Sequence, residues 1–137
     1  MTGIFEFVET FHGHWRWIVA VVAVVAVIKF LIGWLGKGKV TQLDKTIAAA
    51  FAGVMTVQLV LGVVTIIGVI IEGAFNARLH GEHLVTGLIA VGLSHMIPMR
   101  KDARSDASRF RTGFIMTTAS LLLAVMNVVL VRGSWMY

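Results

Sequence analysis

Four long apolar runs separated by polar stretches constrain this chain more than any other feature. They reach from about 15 to 35 (WRWIVAVVAVVAVIKFLIGWL), 46 to 72, 82 to 97 and 113 to 131. Crossing about 30 Å of hydrocarbon takes roughly 20 helical residues, with roughly 17–25 the usual range. Three runs meet that requirement. The third is marginal and needs His80–His83 and Pro98–Arg100 as interfacial ends. A bilayer offers bare backbone groups no partner, so each span has to be helical. The expectation is an all-α integral membrane protein: a four-transmembrane-helix up-down bundle, with residues 1–137 as one domain.

Composition supports this class. Hydrophobic residues make up 58% of the chain, against about 45–50% in soluble domains. There is no cysteine, which excludes disulfides, thiolate metal sites, iron–sulfur clusters and thiol-attached haem. The net charge of +5 resides in the loops, so membrane topology explains it and nucleic acid is not an expected partner. No cleavable signal is expected, because Glu6 and Glu9 precede the first run with no Lys or Arg among them.

The first and third loops carry Lys37, Lys39, Lys45, Arg100, Lys101, Arg104, Arg109 and Arg111, eight basic residues. The other side has three, Arg16, Arg78 and Arg132. That bias predicts loops one and three inside and both termini outside. Trp15, Trp17, Trp135 and Tyr137 then form an outer aromatic belt, with Trp34 at the inner boundary. Lys29, about two turns inside the first run, either snorkels to the head groups or pairs within the bundle.

The chemistry on offer is imidazole. FHGHWRW places His12 and His14 before the first run, and LHGEH places His80 and His83 before the third. Alternate spans begin on the same side, so the two clusters face one another across one leaflet. Histidine is costly near lipid and ligates haem iron, zinc and copper. Two imidazoles from different helices, His12 or His14 with His83, can hold a haem between them. Below His83, Gly87, Ala90 and Ser94 form a smooth face, suited equally to close helix packing and to a flat macrocycle. A second reading is a zinc or copper site built from His12, His14, His80 and His83, with Glu9, Glu72 and Glu82 nearby. The bland reading is a polar cap of interfacial histidines bonded to head groups, water or Glu82.

His95 lies twelve residues beyond His83, about 18 Å along a helix. It cannot share a small site with His83. It binds a second cofactor, forms part of a quinone head-group site, or marks the interface. Gln58 and Asn127 are amides inside spans, expected to bond between helices or to a haem propionate or quinone carbonyl. Ala49, Gly53 and Gly62 are expected to mark packing. No nucleophile elbow, phosphate loop, dinucleotide fingerprint or HExxH motif is present, so no catalytic residue is assigned.

With FHGHWRW, KFLIGWLGKGKVTQLDK, VQLVLG, EHLVTGLIAVGLSH and DASRFR, the chain resembles small bacterial four-helix membrane proteins labelled cytochrome-b-like. The resemblance runs nearly full length. It implies a bacterial inner-membrane location, haem b, and functional histidines at His12, at His83 beside Glu82, and at His95. A second-helix histidine of that group corresponds to Val57 here, so a ligand from that position is missing. Two functions follow as expectations. One is a small b-type cytochrome-like electron-transfer subunit, its haem near the outer leaflet, working with quinone or a larger membrane redox complex. The other is a non-catalytic accessory subunit packed against a respiratory or photosynthetic complex and its lipid. Either implies an oligomer or a complex subunit.

Overall fold

The computed structural model describes residues 3–100 and 103–134. Trp135 and Tyr137 of the expected belt, and Lys101 of the basic loop, lie outside the described residues. Among the described residues there are four helices and no strands: α1 Gly3–Leu35, α2 Gln42–Ile71, α3 Ala77–His95 and α4 Asp106–Arg132. Neighbours in sequence pack side by side and α4 closes back on α1, so α1 and α3 stand diagonally across the bundle.

Three of the four, α1, α2 and α4, are long and apolar enough to cross a membrane. The third run is the exception. At 19 residues, α3 reaches about 28 Å, and Arg78, His80, Glu82 and His83 occupy its first two turns.

The largest difference from the sequence expectation is where α1 starts. It begins at Gly3 and not near Trp15. The added turns are held by packing that hydropathy alone does not register. Phe7 stacks on Phe11 at 6.1 Å, and Phe11 leans on Trp15 at 5.5 Å. Phe5 lies against Gly68 near the end of α2, so close that a Cβ there would fall 2.9 Å from its ring. His12 therefore sits inside a continuous helix and not at its mouth.

The other boundaries have local causes. Gly73 and Gly133 follow α2 and α4 with left-handed φ of 68° and 72°, a conformation that glycine adopts without strain. Asn76 caps α3 by accepting from Leu79 N–H at 3.0 Å. Because α3 is already formed at Ala77, His80 and His83 share a helical face.

Large side chains fill only one end of the bundle. Phe30, Phe51, Met99 and Phe110 are fully buried beside the basic loops. The approach is tight: a Cβ on Gly33 would meet the Phe110 ring at 2.5 Å, and one on Gly113 would meet Met99 at 2.7 Å. Lys29 pairs inside the bundle. Its Nζ donates to Asp44 at 2.6 Å and lies 5.8 Å from the Phe110 ring centre. Asp44, with 0% exposure, also accepts from the Thr41 N–H and hydroxyl. The loop into α4 is clasped by Arg109, which donates to the carbonyls of Pro98, Met99 and Arg100 and to Asp106. At the opposite end, where Leu59, Ile66 and Leu84 stand among the histidines, space remains between the helices.

Candidate haem-binding cavity

That space is a cavity of about 180 Å³ between the helices, at the end where the histidines cluster. Its walls include His12 and Arg16 from α1, Gln58 and Gly62 from α2, His83 and Gly87 from α3, and Asn127 and Arg132 from α4. His12 and His83 face each other across the bundle. Their ring centres are 6.2 Å apart and their planes are nearly perpendicular, at 82°.

Each ring is set in place by its surroundings. Gly62 makes room for His12: a Cβ there would stand 3.0 Å from the imidazole Cε1. Asn127 fixes the backbone beneath His83 by donating from Nδ2 to the His83 carbonyl at 3.0 Å. Ser120 holds the same two helices together lower down, donating to the Ala90 carbonyl at 2.7 Å. Trp15 ties α1 to α2 through its indole N–H and the Val54 carbonyl at 2.9 Å. His12 Nδ1, His83 Nδ1, Gln58 Oε1 and Asn127 Oδ1 are buried, with no hydrogen-bond partner among the described residues. Burying unpartnered polar atoms costs about 1–3 kcal/mol each. All four belong to residues that line the one cavity.

The residues fit a haem in donor chemistry. His12 and His83, with ring centres 6.2 Å apart, are the two imidazoles that would hold its iron. Arg16 and Arg132 line the same cavity and suit the carboxylates that a haem carries. The enclosed volume is below the roughly 300–1,000 Å³ of pockets that engulf a drug-sized ligand.

The other histidines separate. His80 lines the cavity, but its Nδ1 accepts from the Asn76 N–H at 2.8 Å and its ring stacks on Phe75 at 5.3 Å. His14 is exposed and donates from Nδ1 to the Thr10 carbonyl at 2.8 Å, so it stands outside the cavity. Glu82 is exposed and pairs with Arg78. Among the described residues, no group of three or more His, Asp or Glu is arranged to hold a metal ion. His95 lies at the far end, 2.8 Å from the Thr56 hydroxyl.

Sequence reasoning missed Arg16, Arg132 and the role of Gly62. Arg16 stands four residues after His12, on the same helical face, and that spacing could have revealed it. Arg132 carries no such signal, because tertiary packing alone brings its guanidinium over Gly13.

No family model, no curated protein and no solved structure matches this chain.

Proposed function

We propose that the chain is a small membrane b-type cytochrome-like electron-transfer subunit, in which His12 and His83 would hold haem b. The observation that carries this reading is the pair of opposed imidazoles, 6.2 Å apart beside a cavity of unpartnered polar atoms. Bound there, haem supplies reversible one-electron transfer. The chain's own residues do the rest. His12 and His83 would hold the iron, and Arg16 and Arg132, which line the same cavity, would pair with its carboxylates. Gln58 and Asn127 offer amide oxygens in the same space, whose walls are mostly apolar. In this reading α3 is the fourth span, both termini lie outside a bacterial inner membrane, and the histidine end lies in the outer leaflet. The electron partner is quinone or a larger membrane complex, and the chain works as an oligomer or as a subunit of that complex.

A second reading, a cofactor-free accessory subunit, draws on the small enclosed volume. It draws also on the apolar face of α1, where Val21, Ile28 and Ile32 are exposed to lipid or a neighbour. Haem content per chain in purified variants decides between the two. His12→Ala and His83→Ala should each lose most of the haem, while His14→Ala keeps it. Haem that persists in the double variant His12→Ala/His83→Ala overturns the assignment.

A further inference from the structure

Asn127, on α4, is 7% exposed and uses only half of its amide. Its Nδ2 donates to the His83 carbonyl at 3.0 Å, while its Oδ1 has no hydrogen-bond partner among the described residues. That bond fixes which end is which, because a flipped amide would set two oxygens against each other. The donor half has a structural duty that a neighbour shares. Ser120, two turns earlier on α4, donates to the carbonyl of Ala90, two turns later on α3, so the two bonds hold the antiparallel pair in register. The acceptor half has no such duty, and a bare buried acceptor is costly. Gly87, one turn beyond His83, leaves the amide its room: a Cβ there would meet Nδ2 at 3.5 Å.

The complementary orphan belongs to the residue that Asn127 already holds. His83 Nδ1 is buried and has no hydrogen-bond partner among the described residues. His14 satisfies its Nδ1 on its own helix, through the Thr10 carbonyl, and His83 makes no such bond. The polar groups that act on the His83 ring are Asn127, through both its backbone and its side chain, and His80. His80 already gives its own Nδ1 to the Asn76 N–H. A neutral imidazole carries its proton on one ring nitrogen, and the hydrogen bond made there decides which. Histidines that ligate a metal almost always donate the other ring N–H to a carbonyl, a carboxylate or water. That bond fixes the ring and makes the ligating nitrogen more basic.

We propose that Asn127 is a positioning residue: its amide oxygen accepts the Nδ1–H of His83 and leaves Nε2 as the bare nitrogen offered to the cavity. The proposal deepens the haem reading and rests on it only for what the bare nitrogen binds. The position of the proton is a property of the chain itself, so it is measured without haem. Nitrogen NMR of the detergent-solubilised, haem-free chain, isotope-labelled at histidine and held above the usual histidine titration range, reads it. The signal missing from His83→Ala is that of His83. The wild type should carry the His83 proton on Nδ1. A proton on Nε2 overturns the proposal, and no variant has to fold for that result.

Two substitutions separate this duty from the helix-tying one. Asn127→Leu loses donor and acceptor together, whereas Asn127→Asp loses the amide donor and keeps an acceptor oxygen. Asn127→Leu should let both proton positions appear on His83. It should also hold added haemin roughly 10–100-fold more weakly, the usual loss when a ligand's supporting partner is removed. Asn127→Asp should keep the proton on Nδ1. A leucine variant whose His83 proton stays on Nδ1 overturns the proposal and assigns the acceptor to the backbone. Equal changes in the two variants leave only the helix-tying bond and overturn it as well. Haem failure reads differently: a wild type that takes up no haemin yet carries the His83 proton on Nδ1 sinks the haem reading and supports this one.

Discussion

Replacing Asp44 by alanine should be among the most damaging single changes away from the cavity. Asp44 is fully buried and accepts three hydrogen bonds, from Lys29 Nζ at 2.6 Å and from the Thr41 N–H and hydroxyl at 2.8 and 2.9 Å. A hydrogen bond to a charged group contributes about 1.5–3 kcal/mol. Losing the reach-back to Thr41 at the start of α2 costs about 1 kcal/mol more. The Lys29 side chain retains 31% exposure, so water takes over part of its lost partner. The lower end applies, and Asp44→Ala should lose about 2–3 kcal/mol.

The double variant Lys29→Met/Asp44→Leu removes the stranded charge as well. It should regain all but the capping loss of about 1 kcal/mol. Unfolding by dodecyl sulfate in a mild detergent, followed by helical circular dichroism, measures both. An Asp44→Ala variant within about 0.5 kcal/mol of wild type, or a double variant worse than the single, refutes the reasoning.

Three further outcomes are expected. Arg109→Ala strands the carbonyls of residues 98–100 and should cost about 3 kcal/mol; Arg109→Lys should not rescue it, because an ammonium cannot span a guanidinium's fork. The same unfolding assay, with limited proteolysis between α3 and α4, reads it. Gly62→Leu drives a side chain into His12 and should empty the cavity of haem, whereas Gly53→Leu enters open space and should leave haem content unchanged. Cysteines placed at Ser105 and Ser134 should label from opposite faces of sealed vesicles, and labelling from one face contradicts the proposed topology.

How much could be read from sequence follows from what kind of signal each element carries. α2 lies close to its apolar run of 46 to 72, whereas α4 opens at Asp106 and not near 113, because Ser105 caps it and the polar DASRFRT already lies in the helix. The opening turns of α1 were not legible, because Glu6, Glu9 and His12 break the apolar run while Phe5, Phe7 and Phe11 supply the packing. That His12 or His14 would approach His83 was legible as two options, since parallel alternate helices bring their N-terminal ends to the same side. Sequence could not separate His12 from His14. Two residues apart on a helix, they differ by about 200° in direction, and only the register of α1 against α2 turns His12 inward over Gly62. Gln58 and Asn127 were legible as buried amides. The clasp of Arg109 was not, because its partners are mostly backbone carbonyls that leave no residue-type signature.

The reduced-minus-oxidised absorption spectrum of the purified protein tests the central claim most directly. Bis-imidazole haem between His12 and His83 predicts a sharp b-type α-band that disappears in His83→Ala. A colourless wild-type protein, folded and helical in the same preparation, contradicts it.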